Sequence, residues 1–353
     1  MTKRLANNGA AQRGLSLVEI LVGLAVGLLV VVAVLLLIVR MSGSRGDIDR
    51  ASRQIENGRF AVHKLAEDLR HAGFVGEFSD LVVPTAGMLA LDPCTTAAAE
   101  LRQLAHVPIR PYTAATAASK PSCIPAADFV AGSHVLVLRF ASPIVTAPAA
   151  LDGALMYVQS TTGDTIVARG NVSPPLSTFT LERQTTLPGA AEPGPIRKVV
   201  VRMYFLSPCS RPAPGQASCT AAADDGTPIR TLKMIALDAV GGAPAFTAPR
   251  AIAEGIERVE FDYGIDDDGD GAADRLSTCA AATPCSGADL ANVVAVNVHV
   301  LARETEPSAG FTDAKTYALG LAGAFTPSGA DARFRRHLFS ATVRLNNISM
   351  RRE

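Results

Sequence analysis

The stretch LVEILVGLAVGLLVVVAVLLLIVR, Leu17–Arg40, decides how this chain is anchored. From Ile20 to Val39 it contains twenty consecutive uncharged and overwhelmingly apolar residues. A helix of that length, at ~1.5 Å per residue, spans about 30 Å, which is the thickness of the hydrocarbon core of a bilayer. The sequence therefore predicts a transmembrane helix over residues 17–39. Glu19 is a lone carboxylate at its start, where a charge is costly unless it has a partner or reaches the interface.

The residues before this segment indicate its orientation. Lys3, Arg4 and Arg13 precede it without any acidic residue. Because positively charged flanks stay on the cytoplasmic side, we expect a single pass with the N-terminus in the cytoplasm and the rest of the chain outside it. A secretory signal peptide is the alternative, but its apolar core is only ~7–15 residues long and ends at a small-x-small cleavage site. Here the apolar run is longer than that, and the sequence LLLIVRMSGSRG offers no AxA-like site after it.

The segment RG followed by LSLVEILVGLAV resembles the class III signal sequence of type IV prepilins and pseudopilins. The resemblance implies that a prepilin peptidase removes a leader, residues 1–14, by cutting after Gly14. Leu15 then becomes a methylated N-terminus, although the family most often has phenylalanine there. Glu19 is implied to pair with the terminal amine of a neighbouring subunit in a filament, which would offset the cost of burying both charges. The alternative is a glutamate that extends to the membrane interface without a partner.

The helical pattern continues past the apolar segment. Ile48, Ile55, Val62 and Leu69 recur every seven residues, which predicts an amphipathic half of the same helix that ends near Gly73. The sequences ENGRFAVHKLAEDLRHAGF, residues 56–74, and FRRHLFSATVRLNN, residues 334–347, resemble the PilW group of minor pilins. We therefore expect one N-terminal helix over residues 15–73.

Six cysteines follow the helix, at Cys94, Cys123, Cys209, Cys219, Cys279 and Cys285. An even number on the extracytoplasmic side of a membrane predicts three disulfides in an oxidising compartment. Sequential pairing is the simplest of the 15 possible connectivities. A metal site is the rival interpretation, but the sequence contains no CxxC motif.

The rest of the chain, residues 74–353, is predicted to be a β-rich extracytoplasmic domain. Short Val/Ile/aromatic runs such as HVLVLRFA, KVVVRMYFL and NVVAVNVHVLARE alternate with Gly/Pro/Ser/Thr-rich connections. No helix-length segments separate the runs, which favours antiparallel sheets. The predicted fold class is α+β: a long N-terminal helix, with a membrane half and an amphipathic half, packed on an antiparallel sheet domain with long disulfide-stapled loops.

The segment DDDGDGAAD, residues 266–274, predicts a calcium-binding loop. Asp266, Asp268 and Asp270 stand at alternate positions before a glycine, as in the first half of an EF-hand loop, and Ala272 (by its carbonyl) and Asp274 would complete the ligands. Ser277 stands where an EF-hand has its bidentate glutamate, so the loop is EF-like only. The alternative is a solvated acidic turn.

The function predicted from these features is that of a minor pilin, which is membrane-held and then incorporated into a type IV pilus that it primes or caps. Its predicted partners are other major and minor pilins, the prepilin peptidase and the inner membrane, with the domain in the periplasm before assembly. A minor pseudopilin of a type II secretion system is an alternative, and a membrane-anchored calcium-binding adhesin outside any filament is a second. With 33 basic and 33 acidic residues, bulk charge gives no reason to expect nucleic acid as a partner. The sequence lacks GxSxG, P-loop and dinucleotide motifs, so we expect no enzyme.

Overall fold

The computed structural model describes residues 16–77, 82–113, 120–170, 177–184, 191–280, 283–308 and 310–349. By internal packing the chain divides into a unit of residues 1–50 and a unit of residues 51–353. Helix α1, Leu17–His71, is 55 residues long and contributes to both units. Helix α1 lies within residues 15–73, over which the sequence analysis expects one N-terminal helix.

The apolar part of α1 has the dimensions of a membrane span. Leu17–Ile38 comprises 22 residues with a mean hydropathy of 3.3, and all of them are exposed in the isolated chain. A stretch of this length and composition is sufficient to cross the hydrocarbon core as a helix.

The second unit is built from short helices and many strands. Its five further helices in the described residues are α2 Ala86–Ala90, α3 Ala98–Leu104, α4 Ala223–Gly226, α5 Gly287–Ala291 and α6 Asn346–Ser349. Its strands are β1 Ile109–Thr113, β2 His134–Val145, β3 Met156–Ser160, β4 Thr165–Arg169, β5 Glu182–Gln184, β6 Ala191–Pro193, β7 Ile196–Ser207, β8 Thr231–Val240, β9 Ala243–Phe246, β10 Arg250–Glu254, β11 Ile256–Ile265, β12 Arg275–Ser277, β13 Val293–Arg303, β14 Tyr317–Ala318, β15 Ala324–Phe325 and β16 Arg336–Arg344.

Two sheets carry the domain, and every described strand pair is antiparallel, as predicted. The first sheet has eight strands in the order β1-β2-β7-β3-β4. In it β8 pairs with the end of β7, and β9 and β10 pair with β8. The second sheet has the order β12-β11-β13-β16. Two-stranded ribbons β5-β6 and β14-β15 complete the topology.

The main core lies where the second half of α1 contacts both sheets. Leu65 and Leu69 of α1 are fully buried in one cluster with Leu136 of β2 and Val298 of β13. Residues of opposite parity on β2, such as Val137, belong to a separate cluster on the other face of the first sheet. Because both faces of the sheet are covered there, β2 is buried without alternation from Val135 to Ala141.

The predicted seven-residue stripe on α1 is only partly correct. Leu69 is fully buried, but Ile55 is 38% exposed, and Gln54 and Gly58 are buried instead. A straight helix repeats every 3.6 residues, so a seven-residue pattern drifts by about 20° per repeat away from a fixed face. The face that packs on the domain therefore rotates from Leu69 toward Gln54. Gly58 lets the Phe339 ring of β16 pack directly against the helix, since an added Cβ would overlap that ring.

The six cysteines form disulfides in sequential order: Cys94–Cys123, Cys209–Cys219 and Cys279–Cys285. The first two close loops that precede β2 and β8, and the third closes a loop between β12 and α5. Helices α2 and α3 and strand β1 lie between α1 and β2, in a part of the chain where the sequence analysis named no helix or strand.

Candidate functional site

The start of α1 gives Glu19 a partner within its own chain. The Ser16 N–H donates to Glu19 Oε2 at 2.9 Å, and the Glu19 N–H donates to Ser16 Oγ at 3.2 Å. This reciprocal pair is a capping box, which satisfies two N–H groups at a helix start. The sequence signal for it is the S-x-x-E pattern of residues 16–19, which the sequence analysis did not use. Gly14 and Leu15, the predicted cleavage and methylation positions, lie outside the described residues.

The predicted calcium loop is the turn of a hairpin in the second sheet. Residues 266–274 connect β11 to β12, and Ile265 stands opposite Arg275 where the two strands pair. The Asp274 N–H donates to the Ile265 carbonyl at 2.9 Å, and the Asp266 N–H donates to the Asn292 carbonyl at 3.0 Å. These bonds attach both ends of the loop to the sheet.

Backbone amides fold this loop around the carboxylate of Asp266. Asp266 is fully buried, and its two oxygens accept from the N–H groups of Gly269 at 2.6 Å and Gly271 at 3.0 Å. Both glycines have a φ above +80°, in the left-handed region that favours glycine. The Asp274 carboxylate accepts from the Asp267 N–H at 2.7 Å in the same way. Local sequence therefore determines the shape of the loop.

The loop brings together three of the predicted ligands. One carboxylate oxygen from each of Asp266, Asp268 and Asp274 lies within 4.8 Å of the other two. Asp270 is not part of this group, and its Oδ1 instead accepts from the Ala272 N–H at 2.8 Å. Three converging carboxylate oxygens are the ligand type that hard cations such as calcium prefer.

An arginine from the adjoining strand balances part of this negative charge. Arg275 donates from Nε to Asp267 at 2.7 Å and from Nη2 to Asp289 of α5. These hydrogen bonds raise the pKa of Arg275. Partial burial acts to raise the pKa of Asp289, but hydrogen bonds from Ser286 and Arg275 outweigh it and the pKa is lowered. Sequence analysis did not identify Asp289 as a partner because it stands fourteen residues from Arg275.

A second group of metal-binding side chains is not available to an ion. Asp128, Cys209 and Cys219 also converge, but the two cysteines form a disulfide. Lys233, only 1% exposed, lies 3.9 Å from Asp128 and 3.7 Å from the sulfur of Cys219. Burial lowers the pKa of Lys233, and Asp128 opposes this shift. The group is thus a buried ion pair beside a disulfide.

A serine, a histidine and an aspartate form a hydrogen-bonded chain on the second sheet. Ser340 Oγ lies 2.9 Å from His299 Nδ1, and His299 Nε2 lies 3.2 Å from Asp262 Oδ2. The ring nitrogens are reversed relative to a serine-hydrolase triad, in which the serine contacts Nε2. The three residues stand on β16, β13 and β11 respectively, so the chain of bonds connects three neighbouring strands.

Comparison with known protein families relates part of the chain to pilus assembly. Residues 220–347, a little over a third of the chain, match the family model described as Type IV Pilus-assembly protein W. These residues include all of the strands β8 to β16 and the acidic loop. No curated protein and no solved structure matches the chain. The similarity supports a protein related to type IV pilus assembly.

Proposed function

We propose that this chain is a minor pilin, a membrane-held subunit that is incorporated into a type IV pilus, which it primes or caps in support of pilus assembly, motility or adhesion. The proposal depends above all on the similarity of residues 220–347 to a pilus-assembly family. The 22-residue apolar segment of α1 adds a suitable membrane anchor. Other major and minor pilins, the prepilin peptidase and the inner membrane are its proposed partners.

The form of α1 supports incorporation into a filament. Its apolar segment and its domain-packed segment belong to one helix, Leu17–His71. A subunit anchored in this way needs no cleavage after the apolar segment to move from a membrane to a filament, because neighbouring apolar helices can replace lipid as its surroundings. The large domain with three disulfide-closed loops favours a terminal position, where no further subunit has to stack above it.

Deletion of the gene in the native host tests this proposal. We expect the loss of surface pili, with secretion of extracellular enzymes unchanged. Retained surface pili with a loss of extracellular enzyme secretion would identify a minor pseudopilin of a type II secretion system. Purification of the tagged protein from membranes should also recover other pilins. If neither phenotype appears and no pilin is recovered, the membrane-anchored adhesin becomes the better explanation.

Processing of the leader is a separate part of the proposal. We propose that the mature chain begins at Leu15, which the peptidase exposes and methylates after removing residues 1–14. Mass spectrometry of the N-terminal peptide from membrane-extracted protein measures both events. An N-terminus at Met1, or one beyond the apolar segment, would contradict the prepilin interpretation.

We propose that Glu19 acts by pairing with a neighbouring subunit's N-terminal amine, in addition to capping its own helix. Two substitutions separate these roles. Glu19→Gln removes the charge but retains the acceptor of a capping box, which accommodates glutamine. Ser16→Ala removes the serine half of the box and retains the charge. The pairing role predicts that only Glu19→Gln impairs incorporation into pili, whereas a capping role alone predicts that only Ser16→Ala does.

The acidic loop is proposed to bind one calcium ion. Asp266, Asp268 and Asp274 would supply carboxylate oxygens together with the Ala272 carbonyl, and Asp270 would join them only if the loop rearranges. Without a bidentate glutamate the dissociation constant should be on the order of 10⁻⁴ to 10⁻³ M, as in extracellular calcium modules. Such a site would be occupied outside the cytoplasm and empty inside it.

Thermal unfolding of the full-length protein in neutral detergent tests the calcium site. Millimolar calcium should raise Tm relative to a chelator, because an ion that binds only the folded state stabilises it. Asp268→Asn should abolish the increase, and Asp270→Asn is the matched control, which should reduce it less. Equal Tm values in calcium and in chelator would identify the segment as a solvated turn.

A further inference from the structure

One edge of the second sheet is long and open. The strand order β12-β11-β13-β16 leaves β12 and β16 at the two edges. β12 has only three residues, whereas β16 has nine, pairs with β13 without a register shift and contains neither proline nor lysine. Proteins usually protect a long edge strand with such residues, with a bulge or with a covering segment, because its unpaired backbone groups can bind another strand. Among the described residues, no strand pairs with the outer side of β16.

The register of β16 determines which backbone groups point outward. The Leu345 N–H donates to the Val294 carbonyl at 2.8 Å, and the Glu304 N–H donates to the Arg335 carbonyl at 3.0 Å. Because bonded and non-bonded pairs alternate in an antiparallel ladder, the odd-numbered residues of β16 bond to β13. The even-numbered residues within 338–342 therefore direct their N–H and C=O groups away from the sheet. Within the described part of the chain, no backbone hydrogen bond reaches these groups.

Beside this edge the side chains of β16 and α1 form an apolar strip. The Phe339 ring packs against Gly58 of α1, and Val343 is buried in the main core. Ile55 and Val62 stand three residues before and four residues after Gly58, so both lie next to it on the helix surface. Ile55 is 38% exposed, and Val62 is half-buried. An added strand would therefore meet apolar side chains on the α1 side of the edge.

The opposite face of β16 is polar. The exposed residues Ser340 and Thr342 lie on it, and their hydroxyls contact His299 Nδ1 at 2.9 Å and Asn297 Oδ1 at 2.7 Å. Successive side chains of a strand point to opposite faces of its sheet. A strand that continues this sheet should therefore alternate apolar residues on the α1 side with polar residues on this face.

The charges along β16 favour an acidic partner over a second copy of this chain. The ionisable residues of the segment 334–345 are Arg335, Arg336, His337 and Arg344, and none of them is acidic. Arg336 is buried and paired with Glu257, and the other three are exposed. Two copies of β16 would bring only basic side chains to a shared edge, and like charges on paired strands are destabilising. A strand with acidic residues would complement these side chains instead.

We propose that the β16 edge binds an extended acidic segment of another protein as an additional antiparallel strand. The outward N–H and C=O groups within residues 338–342 bond to the backbone of that segment, which is the general mode of strand addition. Its apolar side chains lie beside Val62 and Phe339, and its acidic side chains lie near the exposed basic residues of β16. The inference does not depend on the proposed role in a pilus.

Peptide binding to the full-length protein in neutral detergent tests this proposal. The probe is fluorescein-Glu-Val-Thr-Val-Thr-Val-Glu-amide, whose valines and threonines alternate as the edge requires, and fluorescence anisotropy measures its binding. One control peptide is N-methylated at both threonines, which removes the N–H groups that face β16 when the threonines lie opposite Ser340 and Thr342. The other control has lysine in place of both glutamates. We expect saturable binding of the probe and a loss of about tenfold or more in affinity with either control.

Substitution of Thr342 locates the binding on β16. Thr342→Pro removes an outward N–H group without breaking a hydrogen bond to β13, and edge strands accept proline at such a position. Thr342→Val is the matched control, because it also lacks the hydroxyl but keeps the N–H group. We expect Thr342→Pro to weaken binding about tenfold and Thr342→Val to leave it within about twofold of the wild type. If Thr342→Pro does not fold, Thr342→Glu, which places a like charge beside the acidic peptide, should weaken binding to a similar extent.

Sedimentation in the same detergent tests for a second copy at this edge. The proposal predicts that the wild type does not dimerise through β16. It is overturned if the wild type forms a dimer that Thr342→Pro or Thr342→Glu abolishes, if the probe does not bind, or if either control peptide binds as tightly as the probe. Equal binding of the probe by the wild type and by the Thr342→Pro or Thr342→Glu variant would contradict it as well.

Discussion

The two halves of α1 are held in place by different kinds of interaction. Leu17–Ile38 is strongly apolar and yet has no buried residue in the chain, with the Ser16–Glu19 capping box at its start. The second half is more polar, but Leu65 and Leu69 are fully buried there, and the carboxylate of Asp68 is only 1% exposed. The comparison shows that hydrophobicity alone does not predict burial. The first half needs an apolar environment from outside the chain, whereas the second is specified by residues of its own domain.

The polar contact of the second half is centred on Asp68. Its carboxylate accepts hydrogen bonds from Tyr204 Oη and from Arg202 of β7, and Lys64 lies 3.3 Å away on α1. Burial acts to lower the pKa of Arg202, but its hydrogen bond with Asp68 outweighs this and raises it. Asp68 therefore attaches the helix to the first sheet through groups from a strand that is distant in sequence.

The largest effect should come from the apolar contacts of the second half. Leu69→Ala removes a fully buried side chain, and we expect a loss of about 3 kcal/mol in the free energy of unfolding. Ile55→Ala on the same helix is the matched control, because Ile55 is 38% exposed and should lose less than about 1 kcal/mol. Urea unfolding of the full-length protein in detergent, followed by circular dichroism, measures both. Equal losses would show that the domain does not depend on this face of α1.

Leu29→Ala extends the same comparison to the first half. Leu29 is 68% exposed in the chain, so its truncation should leave the unfolding of the domain unchanged. A loss comparable to that of Leu69→Ala would contradict the distinction between the two halves.

The second largest effect should come from the polar contact between Asp68 and Arg202. Asp68→Asn leaves Arg202 without its carboxylate partner, and we expect a loss of about 2 kcal/mol, reduced from that of a fully buried pair because Arg202 is 29% exposed. Glu67→Gln is the control at the adjacent position. Glu67 forms an exposed ion pair with Lys64 at 2.9 Å, and its removal should change the free energy of unfolding by less than about 0.5 kcal/mol. Losses of equal size would show that Asp68 acts only as a surface charge.

Sequence analysis predicted the features that depend on local pattern. The run NVVAVNVHVLARE forms β13, and the apolar segment and antiparallel strands agree with the structure. The features that it missed depend on the folded backbone. The hydrogen bond between Asp68 and Tyr204 joins residues 136 apart in sequence. Within the acidic loop, Asp270 lies outside the three converging carboxylates, and its Oδ1 accepts from the Ala272 N–H instead. The capping box at Ser16 could have been predicted from the S-x-x-E pattern of residues 16–19. Sequence analysis considered only the charge of Glu19 at the start of the apolar segment.

The smallest effect is a dependence on pH at the contact between Tyr204 and Asp68. Burial is the main cause that raises the pKa of Tyr204, and the nearby Asp68 carboxylate adds to it. Folded Tyr204 therefore keeps its proton at a pH where an unfolded tyrosine, with a pKa of about 10, loses it. Its stabilising contribution should be complete below about pH 10 and decrease as the pH rises above that value.

Tyr204→Phe should lower the free energy of unfolding by about 1 kcal/mol at neutral pH, because the hydrogen bond to Asp68 is lost. The difference between the wild type and Tyr204→Phe should then shrink above pH 10, measured in urea unfolding at pH 8 and at pH 11. Tyr157→Phe is the control, since Tyr157 is also buried but lies in a different cluster, with Phe179 and Ile196. A difference for Tyr204→Phe that stays constant from pH 8 to pH 11 would show that the helix contact does not hold the proton on this hydroxyl.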